Sequence, residues 1–231
     1  MTTDERLPVV FVACQVLQDM LQRLLPPELA QDVTFMDYGL HRYPAKMTVR
    51  LQEVLDELVE PSLVVLGYGL CGNGLDGLKA GRHTLLMPRA DDCISILLGS
   101  RQAYMREFEA EPGTYYLSKG WLESGSNPLS EYREYVEKYG AEDAEWVMDT
   151  QYQHYSRLVF VAHEQADLDK YRPQAQEVAD YCRRWDMRYE EILGSDRYVR
   201  RLIEVAAALD KADGEFLVVP PGGEIRQEQF I

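Results

Sequence analysis

The chain lacks an apolar run approaching the roughly 20 residues of a membrane-spanning helix. Positive charge is scarce: 24 Lys and Arg stand against 39 Asp and Glu, for a formal net charge of −15. That balance repels polyanions and argues against nucleic acid or an anionic membrane as partner. The opening MTTDERLPVV is acidic and polar, unlike a secretory signal, so a cytoplasmic location is expected. Cysteines are few, only four, and none is spaced as C-x-x-C, so no zinc-ribbon motif is present. In a cytoplasmic chain such thiols are free, catalytic or metal-bound rather than paired in disulfides. No glycine loop carries the G-K-S/T of a phosphate-binding loop, and no G-x-S-x-G marks a nucleophile elbow.

What is present is ordinary for a folded chain, 46% hydrophobic and 27% charged. The apolar runs LPVVFVAC, DVTFMD, SLVVLGYG and HTLLMPR read as strands. Between them, QVLQDMLQRLL and AKMTVRLQEVLDELV carry leucine and valine at helical spacing. Alternation of this kind predicts an α/β fold with mostly parallel, Rossmann-like sheets covered by helices. The order then recurs. RLVFVAHEQ echoes VVFVACQVL, MRYEEILGSDRYVRRLIEVAAALD echoes VTFMDYGLHRYPAKMTVRLQEVLD, and EFLVVPPGGEI echoes SLVVLGYGLCG. Three elements in the same order predict two related lobes, 1–100 and 151–231, joined by a helical bridging or capping segment at 101–150.

In a parallel sheet the ligand crevice lies at the carboxyl ends of the strands. Cys14 ends the first strand, Cys71 follows the third within the glycine-rich GYGLCGNG, and Cys93 follows the fourth at the start of a helix. His41 follows the second. Three thiols and an imidazole at one sheet edge form a ligand set for zinc, or alternatively for an iron–sulfur cluster. A structural role for each residue taken singly is the competing expectation, and for His41 capping of a turn suffices. The glycines at 67, 69, 72 and 74 are expected to permit positive φ and to clear space around Cys71. GYGLCGNG could instead cradle an anion on its backbone amides, although it does not read as a G-x-G-x-x-G opening a helix. A cysteine–histidine hydrolase on Cys71 or Cys93 with His41 is a further alternative. Arg89, Asp92, Tyr68 and Asn73 flank the thiols as candidate substrate contacts, Arg89 for a carboxylate or phosphate. Asp91 or Asp92 would equally serve as helix cap. Cys182, inside the helix-like PQAQEVADYCRRWD, is explained by packing alone.

The segments LGYGLCGNGLDGL, PRADDCISILLGSRQAY and PGTYYLSKGW, with Cys14 and GLHRYP, resemble the signature segments of the domain of unknown function numbered sixteen thirty-eight. Members of that family occur in anaerobic bacteria and archaea, often near corrinoid-dependent methyltransferase systems. The resemblance implies a role in one-carbon metabolism, a corrinoid protein or methyltransferase as partner, and metal-dependent methyl transfer as activity. Zinc held by three thiolates would keep an open position on which a substrate thiol is activated. A non-catalytic, two-lobed module for a small ligand or anion is the alternative.

Overall fold

The computed structural model describes residues 7–230, with the side chains of residues 41 and 42 outside that description. In chain order the elements are β1 (Val9–Cys14), α1 (Gln18–Leu24), β2 (Val33–Met36), α2 (Pro44–Glu57), β3 (Leu63–Gly67), β4 (Thr84–Pro88), α3 (Cys93–Leu97) and α4 (Arg101–Ala110). There follow β5 (Thr114–Ser118), α5 (Lys119–Glu123), α6 (Pro128–Tyr139), α7 (Ala141–Tyr152), β6 (Arg157–Ala162), α8 (Gln165–Cys182), β7 (Arg188–Leu193), α9 (Arg197–Ala207) and β8 (Phe216–Val219). The fold is α/β and Rossmann-like, and the four strands expected in the first hundred residues all form. No helix among the described residues is long and apolar enough to cross a membrane.

The chain divides into two compact units, residues 1–101 with 196–231, and residues 102–195. Unit 1 holds a sheet in the order β2-β1-β3-β4-β8. Its first four strands run parallel, while β8 pairs antiparallel to β4, with Leu85 opposite Val219 and Pro88 opposite Phe216. β3 and β4 are buried along their whole length, as continuous β-branched and leucine runs require of strands covered on both faces. Side chains alternate between those faces. Val10, Val12, Val64, Leu66, Leu85 and Met87 share one cluster with Met47, Leu51 and Leu55 of α2. On α9, Tyr198, Val199, Leu202 and Ile203 are buried, and that helix packs on β3, β4, α1 and α3.

Unit 2 holds a parallel sheet in the order β5-β6-β7. Its central strand RLVFVA is wholly buried, and α8 packs on β6 and β7 through a core that includes Leu168, Tyr171, Ala175, Val178 and Cys182.

Three expectations are corrected. The lobe boundaries at 101–150 and 151–231 do not hold, because residues from 196 onward return to unit 1. The third echo, EFLVVPPGGEI, therefore does not build a second copy of β3; it becomes the antiparallel edge strand of the first sheet. A short apolar strand can pair with any free edge, and β4 offers one. The stretch 101–150 is no mere bridge, since it supplies β5, whose TYYLS takes beside β6 the place that β3 takes beside β1.

Cys182 is fully buried, and burial alone pushes its thiol up to about 12. A group whose native pKa is raised contributes its full stability below the unfolded value, and that contribution is lost as pH rises through the native one. Unit 2 should thus lose about 4 kcal/mol between roughly pH 9 and 12 through this thiol. Cys182→Ala should lose about 1 kcal/mol at neutral pH and show a shallower alkaline decline, measured by denaturant titration across pH. Metal content should not change; its loss with the fold intact would make Cys182 a ligand.

Candidate metal centre at the strand ends of unit 1

In unit 1 the chain leaves β1 for β2 on one side and returns to β3 on the other. Such a reversal opens a crevice at the carboxyl ends of β1 and β3. Cys14, the last residue of β1, enters a 3-10 turn whose Val16 amide favours the charged form of its sulfur. Past β3, Leu70 N donates to Ala90 O at 2.8 Å and Cys71 N to Asp91 O at 2.9 Å. These bonds bring the glycine loop to the segment that ends in Cys93. There Asp92 caps α3, its Oδ1 accepting from Ser95 N at 3.2 Å, and Cys93 is the first helical residue.

The loop's backbone is unusual. Cys71, Gly72 and Asn73 have φ of 50°, 63° and 67°. Left-handed backbone at a residue with a side chain costs about 1–3 kcal/mol, and such strain concentrates at functional sites. Of the glycines expected to need positive φ, only Gly72 does; 67, 69 and 74 do not. Gly69 is there for close approach, since a Cβ would lie 2.6 Å from Asp92 Cα. The spacing of Gly67, Gly69 and Gly72 coincides with a dinucleotide-binding fingerprint, but the residues that follow form turns where that motif opens a helix. The loop is braced from outside by Thr48 Oγ1 donating to Gly74 O at 2.8 Å and Gly77 N to Ile225 O at 2.8 Å.

Each of the three thiols keeps some solvent contact, yet protein atoms crowd them enough for desolvation to dominate. Burial pushes Cys14 up to about 11 and Cys71 up to about 12, and Cys93 rises well above its ordinary value. The charges on Asp92 and Cys14 raise Cys71 further, and those on Cys71, Asp92 and Cys14 raise Cys93. The backbone brings these residues to one sheet edge: β1 and β3 are paired through Ala13 and Gly67, and Cys71 N bonds Asp91 O, two residues before Cys93. At neutral pH the three cysteines are thiols, and a cation is what would ionise them together. Asp92 itself is pushed up to about 6 by burial, against the pull of the Ser95 and Ile94 amides.

Tyr68 stands first after β3, 2% exposed, and its hydroxyl has no hydrogen-bond partner among the described residues. Burial, then the charges of Cys14, Cys71 and Cys93, then Asp37, hold its proton on. Of the proposed substrate contacts, Tyr68 and Asp92 are the two that interact electrostatically with the thiols. Asp92 is a helix cap. Arg89 is engaged in the fold: its Nε donates to Phe216 O at 3.3 Å and its N to Glu215 O at 2.8 Å, fastening β4 to β8. Asn73 is exposed and donates to Gln227 Oε1 at 3.4 Å. The His41 side chain lies outside the described residues; its backbone belongs to the 3-10 turn Tyr38–Arg42 after β2. Asp37, which sequence reasoning missed, caps that turn, with Gly39 N donating to its Oδ1 at 2.7 Å, and its charge reaches Cys14 and Tyr68. An Asp directly after a parallel strand was the available signal. Among the described residues no group of three or more His, Cys, Asp and Glu side chains is already arranged to hold a metal ion.

No curated protein and no solved structure matches the chain. A family model, described as a protein of unknown function, DUF1638, matches residues 35–203, which include Tyr68, Cys71, Asp92 and Cys93 but not Cys14. That match spans more than half of the sequence, and the chain belongs to the DUF1638 family.

Proposed function

We propose that unit 1 binds a thiophilic metal, zinc or an iron–sulfur cluster, through Cys14, Cys71 and Cys93, and that the site serves methyl transfer in anaerobic one-carbon metabolism. One observation carries this reading: Cys14, Cys71 and Cys93 stand at or just past the carboxyl ends of three adjacent parallel strands, Cys71 N bonds Asp91 O two residues before Cys93, and the buried Tyr68 hydroxyl has no hydrogen-bond partner among the described residues. The donor set fits a soft cation, and the acidic neighbours Asp37 and Asp92 favour a cation over an anion. Binding would have to draw the thiols together and release their protons. Zinc, when bound, would supply Lewis acidity toward a substrate thiol. The chain's own contribution is positional. Asp92 fixes the start of α3 and so Cys93, the left-handed turn aims Cys71, and the end of β1 presents Cys14. The partner would then be a small thiol together with a corrinoid protein or methyltransferase.

An anion cradle is less well supported. The amides of Leu70, Cys71, Gly74, Asp76, Gly77 and Leu78 already donate to backbone carbonyls, leaving few donors for a phosphate.

Protein purified without oxygen should retain about one equivalent of zinc, or a brown iron–sulfur chromophore, by elemental analysis and absorbance. Cys71→Ser should reduce metal affinity by at least about a hundredfold while the fold persists by circular dichroism. Absence of metal from the wild type, with no uptake of added zinc or cobalt(II), would rule the reading out.

A further inference from the structure

The three tyrosines as deeply buried as Tyr68, namely Tyr152, Tyr171 and Tyr198, have partners for their hydroxyls. Tyr152 Oη donates to Glu131 Oε2 at 2.6 Å, and Tyr198 Oη to Glu215 O at 2.8 Å. Tyr68, just as deeply buried, has none among the described residues. An unsatisfied hydroxyl destabilises the fold, and phenylalanine would fill the same space without that cost. What surrounds it is informative: Cys14 and Cys71 pack against the same buried cluster that holds Tyr68, and after burial Cys14, Cys71 and Cys93 act most strongly on its hydroxyl. A neutral thiol is a weak acceptor, whereas a thiolate is a strong one. The missing acceptor would therefore come into being when the thiols ionise.

We infer that Tyr68 Oη donates a hydrogen bond to a thiolate sulfur of the metal-loaded site, a bond that the metal-free protein lacks. Tyr68 is then a positioning residue that acts through the ligands. This inference rests on the thiolate–metal reading above. A donated hydrogen bond withdraws electron density from sulfur, orients the ligand and favours the ionised, metal-bound state over the neutral one. Its loss makes the sulfur a better electron donor, so sulfur-to-metal charge transfer moves to lower energy.

The test compares wild type with Tyr68→Phe, using cobalt(II) alone as probe and titrating under anaerobic conditions. Tyr68→Phe should weaken cobalt(II) binding about 10- to 100-fold and shift the sulfur-to-cobalt charge-transfer band to longer wavelength. In the same variant without metal, the denaturant midpoint should stay where it is or rise, because the orphaned hydroxyl is gone. Tyr152→Phe provides the contrast in unit 2: its metal-free midpoint should fall while the cobalt(II) band and affinity stay unchanged. Equal affinity and an unshifted band in Tyr68→Phe would overturn the inference with the metal reading intact. A lowered metal-free midpoint in Tyr68→Phe would also overturn it, because the hydroxyl would then have a partner without metal. A wild type that takes up no cobalt(II) removes both the reading and the inference, an outcome already visible before any variant is compared.

Discussion

Gly69→Ala should destabilise unit 1 by about 3 kcal/mol and abolish metal uptake. The added methyl would sit 2.6 Å from Asp92 Cα and carbonyl carbon and 2.7 Å from its oxygen. Those are backbone atoms, so no rotamer change relieves the clash, and one segment must move. The movement would break the bonds from Leu70 N to Ala90 O and from Cys71 N to Asp91 O, which hold the glycine loop beside the start of α3. Cys71 and Cys93 would part, and with them the ligand set. Gly72→Ala is the informative comparison. It meets only Pro44 Cγ, at an ordinary 3.6 Å, but must adopt φ of 63°. It should cost about 1 kcal/mol and keep the metal. Denaturant midpoints and cobalt(II) titrations of the two variants decide the matter: a Gly69→Ala protein as stable as Gly72→Ala would mean that the close approach to Asp92 does not govern the loop.

Arg157→Ala should cost unit 2 about 3 kcal/mol. Arg157 opens β6 and is 6% exposed, with Nε donating to Thr114 Oγ1 at 2.8 Å. Its two terminal nitrogens contact Glu190 at 3.2 Å and Glu107 at 2.9 Å. Removing it withdraws the shared cation from both carboxylates and a neighbour from the β5–β6 pair. Because the glutamates keep partial access to water, the low end of the range for breaking a buried pair applies. Glu190 is held below the usual carboxylate range, by Arg188 first and also by Arg157. Stability from such a group is present above the unfolded carboxylate pKa and is lost as pH falls through the native one. Wild type should accordingly weaken on acidification below roughly pH 4.5, and Arg157→Ala should weaken less steeply there. An Arg157→Ala protein within about 0.5 kcal/mol of wild type in urea would show that the cluster is surface decoration.

The sequence was informative wherever local physics is decisive. The runs VVFVAC and SLVVLG are too apolar and β-branched to be anything but buried strands, and both form as expected. Asp92 before CISIL could be read as a cap because a short acceptor there satisfies the first helical amides, and Ser95 N is bonded to it. That Cys14 ends β1, that Cys71 follows β3 and that Cys93 follows β4 was legible from the strand pattern alone. The echo of EFLVVPPGGEI, by contrast, misled: the likeness of β8 to β3 is real as composition but says nothing about which edge receives it.

What the sequence by itself determined is therefore most of the elements, their order, and the sheet edge that Cys14, Cys71 and Cys93 follow, since strand period, capping and the hand of parallel crossovers act over short stretches of chain. Tertiary structure alone decided that β8 returns to unit 1, that TYYLS becomes a strand of unit 2, and that Arg89 is engaged on Phe216 and Glu215 rather than on a ligand. It also decided that Cys71 takes a left-handed conformation and that the Tyr68 hydroxyl is buried with no hydrogen-bond partner among the described residues. Each of these depends on contacts between residues far apart in the chain, where free strand edges and unsatisfied polar groups compete for partners that no local pattern specifies.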